Sequence, residues 1–495
     1  MNWSNYQLDI FEASLNTKRN LAVSAVAGSG KTTTLTEVVR TLLGKTLFCA
    51  FNVHIAETLN QRIGDAADAK TIHSAGMALL YKKRKPTVDN KKYFSIVREI
   101  AKSHFHKSAL FHAGKVIVKI LGMTMRTLTQ PNDFEQMLLT YGFLSDISEL
   151  RKRIDSGTLQ QLISIVKAIV YESIEKGIQE YETTGKISFD DMLYLPVYYE
   201  LEGKYYNVLV DEAQDLNASQ LALVLALSQK RVISVGDEHQ SINGFAGALP
   251  DSFDQIVTQT SAKILPLSVC YRCPTSHISL AQELVPHLEA RDGAPEGEVQ
   301  HIKTDEILNI VQYGDLVICR RNAPLIALAF KLIAKKIQAR VRGRDFSNDL
   351  QTLAGQVKDY DSIDGDFRSG FIRNLQYFYQ DKVQILAQYD GNEAAIESLG
   401  DRTNCLQVIS ENTRFDSVEE LNSSISGLFS DEASAIYLSS VHRAKGLEGE
   451  RVIIVDYDKI RINYKGQQEW QKKQEANLEY VALTRAKQSL FLSNK

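Results

Sequence analysis

Residues 21–34 read LAVSAVAGSGKTTT, an apolar stretch that breaks into small residues and then continues with a lysine and three threonines. The apolar part predicts a buried β-strand, and residues 34–43 (TLTEVVRTLL) predict a helix after it. A strand, a loop of small residues and a helix start together place backbone N–H groups around phosphate oxygens. The stretch therefore predicts a P-loop, although Ala25 stands where the pattern usually has glycine. An ordinary glycine-rich turn is the alternative.

The P-loop pattern assigns a task to each residue type near the helix start. Lys31 carries an ammonium group that reaches the β- and γ-phosphates, and the Thr32 hydroxyl is placed to ligate Mg²⁺. Small side chains in the loop let the backbone come close to the nucleotide. The residues predicted to line this nucleotide site are Ala27, Gly28, Ser29, Gly30, Lys31, Thr32 and Thr33.

The composition is that of an ordinary globular protein. Of 495 residues, 44% are hydrophobic and 24% are charged, and this length suggests about three or four domains. No apolar run approaches the ~20 residues that span a bilayer, and the N-terminus lacks a signal core, so we expect neither membrane insertion nor secretion. Five scattered cysteines fit a reducing compartment. Cys270 and Cys273 form one CxxC, which is weak evidence for zinc without a second ligand pair.

Charge is nearly balanced over the chain, with a formal net charge of −3, but it is uneven locally. Residues 81–126 hold 12 Lys and Arg against two acids, a surplus of ten, whereas residues 385–435 hold ten acids against two arginines. A basic surplus suits a phosphate backbone, and a solvated helical face is the alternative. We therefore expect the first segment to contact nucleic acid.

The order of apolar strands and amphipathic helices predicts a doubly wound α/β fold that is interrupted twice. Helical periodicity without strand signals marks 82–186 as an all-helical insertion, and 338–434 reads as a shorter, mixed insertion. The predicted strands after the P-loop lie at 46–51, 205–210, 231–235 and 263–269, and then at 315–319, 435–441, 451–455 and 489–493.

Polar residues follow two of these strands directly. The strand at 205–210 ends at Asp211 and Glu212; in a P-loop protein the first can hold Mg²⁺, and the second can orient and deprotonate the attacking water. An acid-rich helix start is the alternative. The strand at 231–235 leads to Gln240, whose amide can hydrogen-bond a γ-phosphate and lose that bond after hydrolysis.

Several blocks in this order resemble the motifs of the superfamily 1 helicases of the UvrD, Rep and PcrA type: VAGSGKTT, LVDEAQD, VGDEHQSINGF, VCYRCP, SSVHRAKGLEGE and YVALTRAK. The resemblance covers most of the chain outside the insertions, and FDDMLYLP and VCYRCP point to the branch that includes the F-box DNA helicases. It implies two RecA-like P-loop NTPase domains with parallel sheets, each carrying an insertion. Their expected ranges are 1–81 and 187–265 for domain 1A, 82–186 for 1B, 266–337 and 435–495 for 2A, and 338–434 for 2B.

Carried over residue by residue, the resemblance completes the nucleotide site. It makes Gln7 the adenine-reading glutamine, Tyr271 the residue that stacks on adenine and Glu448 the ribose contact. It adds two arginine fingers, which stabilise phosphoryl transfer and can contribute ~10³ to 10⁵ in rate. Because both fingers follow residue 265, it implies a nucleotide cleft between two domains that close for hydrolysis. The implied catalytic set is Lys31, Asp211, Glu212, Gln240, Arg272 and Arg485, with Thr32 and Asp211 on the metal.

Four positions match strand-contacting residues of the same family: Phe51, His73, Phe245 and His442. Aromatic side chains that stack on bases contribute about 1–3 kcal/mol per base, and core packing is the alternative for the two phenylalanines. The chain departs from the UvrD type at Ala246 and Thr33, where arginine is frequent.

The resemblance implies an ATP- and Mg²⁺-dependent DNA helicase or translocase that tracks 3′ to 5′ on single-stranded DNA and engages single-strand/duplex junctions. A motor that strips proteins from DNA, or that serves a repair, replication or defence complex, is the alternative. A non-hydrolysing nucleotide-gated module is disfavoured by the intact catalytic set, and an ABC-type ATPase by the lack of an LSGGQ-like signature. We find no nuclease spacing among the other acids. We expect no membrane partner, and a cytoplasmic, nucleoid-associated place in bacteria or phage or a nuclear one in eukaryotes.

Overall fold

The structure is a computed structural model that describes residues 3–50, 52–154, 158–242, 244, 247, 251–358, 360, 365–387, 393–429, 436–464 and 467–494. The chain forms two compact units, Met1–Val269 and Cys270–Lys495. Each unit contains a six-stranded sheet in which all neighbouring strands are parallel. The predicted fold class, α/β with two RecA-like domains, is therefore confirmed.

The sheet of the first unit packs against an apolar core on each face, and the strands at 21–25 and 46–50 accordingly read as nearly continuous apolar runs. The strands of this unit, with a short pair in the helical insertion, are β1 (Leu21–Ala25), β2 (Thr46–Ala50), β3 (Asp68–Thr71), β4 (Thr87–Val88), β5 (Lys186–Ile187), β6 (Tyr205–Val210), β7 (Ser228–Gly236) and β8 (Lys263–Leu267). The order across the sheet is β3-β2-β6-β7-β1-β8. Strand β8 pairs with β1 as far as Leu267, whereas the expected boundary of domain 1A lies at 265.

Helices cover the sheet of the first unit and also form its insertion. They are α1 (Asn5–Asn16), α2 (Lys31–Thr41), α3 (Val53–Ile63), α4 (Ile72–Leu80), α5 (Lys92–Ala101), α6 (Lys107–Thr127), α7 (Phe134–Thr140), α8 (Phe143–Ile154), α9 (Leu159–Thr184), α10 (Asp191–Tyr198), α11 (Ala218–Leu227) and α12 (Ser252–Thr260). Helices α5 to α9 build the insertion around their own apolar core. Its two ends meet where β4 pairs with β5, so the expected all-helical segment also contains a two-residue strand.

Helix α6 is the one described helix that is long and apolar enough to cross a membrane by length and composition alone. Its sequence is interrupted by lysines and is not the uninterrupted apolar run of ~20 residues that was not expected. Of its most apolar stretch, 67% is buried inside the fold, as in the core helix of a helical bundle. Length and composition are therefore weak evidence for a membrane span here.

The second unit repeats the parallel architecture without a P-loop. Its strands are β9 (Val269–Cys270), β10 (Glu289–Ala290), β11 (Glu298–Lys303), β12 (Leu316–Cys319), β13 (Ala339–Val341), β14 (Ile436–Ser440), β15 (Gly449–Val455) and β16 (Ala486–Asn494). Strands β9 and β10 form a small separate sheet, and the large sheet has the order β11-β16-β15-β12-β14-β13. Strands β10 and β11 were not expected from the sequence, and neither was β3 of the first unit.

The second insertion is helical in its described residues rather than mixed. Strand β13, which the prediction placed inside this insertion, pairs with β14 in the large sheet. The apolar core of the insertion is continuous with the core of the large sheet, so the two share one apolar interior. The helices of the unit are α13 (Thr275–Ala281), α14 (Ile307–Ile310), α15 (Asn322–Ala334), α16 (Arg344–Lys358), α17 (Phe367–Leu386), α18 (Glu393–Asn412), α19 (Val418–Leu428), α20 (Val441–Ala444) and α21 (Glu469–Leu483).

A glycine allows two helices of the first unit to pack closely. A Cβ at Gly76 of α4 would lie 2.0 Å from the backbone oxygen of Met192 in α10, so Gly76→Ala must push the helices apart. We expect a loss of about 1–3 kcal/mol in the free energy of unfolding, measured by denaturant titration. Gly114→Ala in α6 is the control: its nearest neighbour would be an ordinary contact at 3.4 Å, and alanine favours a helix. Equal stability of both variants would contradict this account of the packing.

Candidate nucleotide and nucleic-acid sites

Three neighbouring strands of the first unit bring the predicted nucleotide residues to one edge of the sheet. Strand β7 lies between β6 and β1, and Ser24 pairs with Gly236 while Val210 pairs with Ser234. The carboxyl ends of parallel strands meet at one edge, where α/β proteins bind ligands. The P-loop, Asp211 and the segment leading to Gln240 therefore follow adjacent strands at that edge.

The P-loop has the backbone shape of an anion site. Gly28 and Gly30 have φ angles of +68° and +80°, which favour glycine. Helix α2 begins at Lys31, and no side chain caps its N-terminus at Gly30. The Ser29 hydroxyl is buried and has no hydrogen-bond partner among the described residues. Uncapped N–H groups and this hydroxyl fit a bound phosphate.

The two expected metal ligands are already in contact. Thr32 Oγ1 donates a hydrogen bond to Asp211 Oδ2 over 2.6 Å. Burial, together with the adjacent Glu212 carboxylate, raises the pKa of Asp211 to about 6, while Thr32 and Lys31 act in the opposite direction. A hydroxyl and a carboxylate are oxygen ligands of the kind that Mg²⁺ prefers. These residues therefore fit the expected cation.

Glu212 occupies a strained backbone position beside Lys31. Its φ angle is +52°, an uncommon value for a residue with a side chain. Its carboxylate accepts a hydrogen bond from Gln214 Nε2 over 2.6 Å, and one oxygen lies 3.8 Å from Lys31 Nζ. The carboxylate of Glu212 is thus held next to the lysine of the phosphate loop, where a general base would be needed.

Gln240 is buried and oriented by a neighbouring carboxylate. Its Nε2 donates to Asp237 Oδ2 over 2.7 Å, and the backbone N–H of Asp237 donates to Gln214 Oε1 over 3.0 Å. Burial raises the pKa of Asp237 above its ordinary value, and the opposing effect of the nearby Lys31 charge is smaller. One hydrogen-bonded chain therefore links Gln240, through Asp237 and Gln214, to Glu212.

Gln7 lies next to the phosphate loop, and both ends of its amide are engaged. Its Nε2 donates to Thr34 Oγ1 over 2.9 Å, and its Oε1 accepts from the Ser4 N–H over 3.1 Å. A Cβ at Gly30 would lie 3.7 Å from Gln7 Nε2. The structure places Gln7 beside the loop; its role as an adenine reader stays a prediction.

The second unit gathers most of its predicted nucleotide residues. Arg272 Nε donates to Glu448 Oε2 over 2.9 Å, and Arg272 Nη1 donates to the Thr484 carbonyl over 3.1 Å. Lys487 also pairs with Glu448. Burial raises the pKa of Glu448, but Lys487 and Arg272 outweigh it, so the net shift is downward. Tyr271 is 37% exposed.

Arg485 is buried and tied to the same neighbourhood of the second unit. Its guanidinium donates to the Val481 and Leu447 carbonyls and to Thr484 Oγ1 at 2.8, 3.2 and 3.1 Å. Thr484 thus contacts both arginines. The cysteines flanking Arg272 form a turn in which the Cys273 N–H donates to Cys270 Sγ over 3.4 Å.

His73 is the one expected strand contact that the structure describes in the first unit; Phe51 and Phe245 lie outside the described residues. Its ring stacks on Phe189 with centroids 4.0 Å apart and an angle of 25°. Phe189 is 54% exposed. Burial, with the charge of Arg126 nearby, lowers the pKa of His73 to about 4. The stack therefore presents neutral aromatic faces at neutral pH.

His442, in the second unit, is half-buried at the start of α20. Burial and the charges of Arg320 and Arg443 lower its pKa to about 3. The structure therefore places a neutral imidazole among basic side chains.

The basic surplus at 81–126 is only partly a surface. Lys92 is buried and paired with Asp191, and Arg126 is paired with Asp190. An exposed part lies along α6 at four-residue spacing. This stripe, which we call the α6 basic stripe, consists of Lys107, Phe111, Lys115 and Lys119.

Family models match both ends of the chain. The UvrD/REP helicase N-terminal domain matches residues 7–260, more than half of the chain, and the UvrD-like helicase C-terminal domain matches residues 435–493. The chain belongs to the UvrD/REP helicase family. The resemblance carried by the sequence blocks is thereby confirmed.

Relatives of this chain are named as DNA helicases. F-box DNA helicase protein 1 of Schizosaccharomyces pombe is 24% identical over an alignment of 531 positions, covering 98% of this chain and 56% of that protein. The ATP-dependent DNA helicase PcrA of Staphylococcus aureus is 24% identical over 272 positions, covering 48% and 34%. PcrA of Staphylococcus epidermidis is 24% identical over 403, covering 71% and 51%. The chain spans about half or less of the length of these relatives.

Two residues that contact candidate site residues were missed from the sequence. Asp237 orients Gln240, and its position directly after strand β7 was a signal that could have assigned it. Phe189 stacks on His73, and only its place in the block FDDMLYLP could have singled it out. Phe189 meets His73 from a distant part of the chain, whereas Asp237 contacts Gln240 three positions away and Gln214 23 positions away.

The raised pKa of Asp211 predicts an effect on stability with a defined sign. The folded-state pKa of about 6 exceeds the ordinary value of 3.8, so the ionised carboxylate destabilises the metal-free protein, fully above pH 6 and not at all well below pH 4. We expect Asp211→Asn to raise the melting temperature by a few degrees at pH 8 without Mg²⁺, and by less at pH 5. Differential scanning calorimetry at both pH values measures this.

Asp9→Asn on the exposed surface of α1 is the control for the loss of one negative charge. A gain for Asp211→Asn that is the same at both pH values, or that Asp9→Asn reproduces, would contradict the burial argument.

Proposed function

We propose that this UvrD/REP helicase is a DNA-dependent ATPase that uses Mg²⁺ and couples ATP hydrolysis to movement along single-stranded DNA. The observation that carries the proposal is the pairing of Thr32 with Asp211 and of Lys31 with Glu212 at the phosphate loop. These pairs unite a metal-ligand set, a phosphate-binding cation and a general base. The names of its relatives, DNA helicases, agree with it.

In this proposal the residues of the first unit divide the chemistry. Lys31 and the uncapped N-terminus of α2 bind the phosphates, and Thr32 and Asp211 hold the metal. Bound Mg²⁺ supplies positive charge that screens the phosphate oxygens. Glu212 accepts the proton of the attacking water, and its bond from Gln214 fixes the orientation of its carboxylate.

Three further roles complete the proposed nucleotide chemistry. Gln240 reports the γ-phosphate, since its amide is aimed by Asp237 and can exchange partners when that phosphate leaves. Arg272 and Arg485 stabilise the charge of the transition state. Tyr271 and Gln7 contact the adenine, and Glu448 the ribose. The pairing of Arg272 with Glu448 supports a common site for these two residues within the second unit.

The proposed contacts to DNA combine stacking with charge. The His73–Phe189 pair offers an exposed aromatic face, which stacks on any base and so suits movement along an arbitrary sequence. The α6 basic stripe adds phosphate contacts: Lys115 lies 4.6 Å above the Phe111 ring, and Lys107 and Lys119 are exposed along the same helix. His442 is a further proposed contact, from the second unit.

The proposal also covers the direction of movement and its effect on DNA: 3′-to-5′ tracking, and unwinding at single-strand/duplex junctions, as the family resemblance implies. An ATPase titration with single-stranded DNA, duplex DNA and RNA tests the substrate. Stimulation by single-stranded DNA is expected, and equal activity without polynucleotide would contradict it. Displacement from bare and from protein-coated substrates distinguishes unwinding from the alternative, protein stripping.

Glu212→Gln tests the proposed base. The amide keeps the size of the side chain but cannot accept the proton, so we expect kcat to fall by ~10² to 10⁴ while nucleotide binding is retained. Phosphate release at saturating single-stranded DNA and binding of a fluorescent nucleotide measure the two quantities.

Glu37→Gln, which changes a partly exposed glutamate of the same helix α2 that starts at the phosphate loop, is the matched control and should leave both quantities unchanged. A Glu212→Gln variant with near-normal turnover would exclude Glu212 as the base.

The α6 basic stripe predicts a change in salt dependence. On single strands, log of the binding constant falls with log salt concentration, and each phosphate contact adds about 0.7 to the steepness of that fall. Replacing Lys107, Lys115 and Lys119 with alanine should therefore make the slope shallower by about 2. Fluorescence anisotropy of a labelled oligonucleotide at several salt concentrations measures the slope. The matched control replaces three other exposed lysines of this unit, Lys18, Lys230 and Lys263. An equal change in both triple variants would mean that only total charge matters.

A further inference from the structure

Lys92 lies at the start of α5 with its side chain fully removed from solvent, an unusual place for a lysine. Its Nζ is 2.7 Å from Asp191 Oδ2, and Tyr93 Oη donates to Asp191 Oδ1 over 2.8 Å. Asp191 is the first residue of α10, 99 positions further along the chain. Two neighbours on α5 of the helical insertion therefore hold the carboxylate at the start of α10.

The same carboxylate closes the turn that contains Phe189. The Ser188 N–H donates to Asp191 Oδ2 over 2.7 Å, and the Asp191 N–H donates to Ser188 Oγ over 3.1 Å. Between them, Asp190 Oδ1 accepts from Arg126 Nε over 2.8 Å. Hydrogen bonds thus hold residues on both sides of Phe189. Three of the side chains that make these bonds, Lys92, Tyr93 and Arg126, belong to the helical insertion.

Two glycines of the insertion make room for this network. A Cβ at Gly177 of α9 would lie 2.5 Å from Tyr93 Oη, and a Cβ at Gly122 of α6 would lie 3.0 Å from Asp190 Oδ2. Larger residues at these positions would displace the groups that hold Asp190 and Asp191. The packing of α5, α6 and α9 is therefore matched to the turn before α10.

The buried Lys92–Asp191 ion pair is weak evidence for added stability. Replacing a buried pair with apolar residues is often neutral or stabilising, so a network of this kind is better explained by the geometry it imposes. The network holds the residues next to Phe189. The Phe189 side chain itself is more than half exposed and contacts the ring of His73. Both flanks of Phe189 are held, and its ring faces solvent.

We propose that Lys92, Tyr93 and Arg126 are positioning residues that hold the Phe189 ring against His73, so that the helical insertion sets the geometry of the base-stacking pair. This inference rests on the proposed function, in which that pair contacts bases of single-stranded DNA. The insertion thereby acts on DNA in two ways: directly through the α6 basic stripe, and indirectly through the turn before α10.

The test uses the full chain and a single-stranded oligonucleotide carrying 2-aminopurine, whose fluorescence is quenched when the base stacks. Tyr93→Phe removes one hydroxyl from the network and keeps the ring. We expect a ~3- to 10-fold weaker affinity for DNA, the effect of one lost buried hydrogen bond, together with reduced quenching in the saturated complex. Lys92→Met should have a larger effect in the same direction.

Tyr181→Phe is the matched control. Tyr181 is a buried tyrosine of the same insertion, and its hydroxyl donates to the carbonyls of Leu80 and Arg84 rather than to α10. It should lower the melting temperature by a similar amount and leave quenching and affinity unchanged. If it weakens DNA binding as Tyr93→Phe does, the effect is one of general stability and the proposal is overturned.

A double-mutant cycle with Phe189→Ala decides the route of the effect. If Tyr93 acts through the Phe189 ring, then Tyr93→Phe costs no further affinity in the Phe189→Ala background; additive losses would overturn the proposal, as would normal quenching in Phe189→Ala alone. The proposed function is judged separately, by stimulation of the unaltered protein's ATPase with the same oligonucleotide. Strong stimulation with additive losses rejects only the positioning role.

Discussion

The hydrogen bond between Thr32 and Asp211 depends on a constraint that shapes the whole first unit. It joins residues 179 positions apart, because β6, β7 and β1 are neighbours in a parallel sheet and their carboxyl ends share an edge. Parallel pairing requires crossover connections, and the helical insertion is accommodated within one of them without disturbing strand order. The phosphate loop, the two acids and the glutamine segment meet because of this pairing.

Acidic side chains are buried at the same edge of the sheet. Asp211 and Asp237 are buried and have raised pKa values, and Glu212 occupies a left-handed backbone position. Such a group of acids destabilises the protein alone and is relieved by a cation, a pattern common in functional sites. The site is therefore arranged for a ligand rather than for stability. The contacts of Asp237 also show a role that was not assigned to it from the sequence.

Charge along the sequence describes the surface of the helical insertion poorly. Twelve basic residues crowd into residues 81–126, yet Lys92 is in the interior and Arg126 is committed to Asp190. The spacing of the α6 basic stripe could be read from the sequence once the helix was assigned. The burial of Lys92 could not, because its partner Asp191 lies beyond the insertion. Local charge therefore predicted a basic surface in outline, and packing decided which of the basic residues are exposed.

The sequence alone determined the order of strands and helices, the phosphate loop and the family, because these depend on short blocks whose periodicity and spacing are local. It predicted both sheets, but it missed β3 and β11 and counted β13 among the residues of the second insertion. The tertiary structure decided which groups meet: Gln240 with Asp237, Arg272 with Glu448, and Phe189 with His73. These contacts join residues from separate blocks or fix one side chain among several acceptors. Only close packing and the hydrogen-bonding needs of buried groups select such partners.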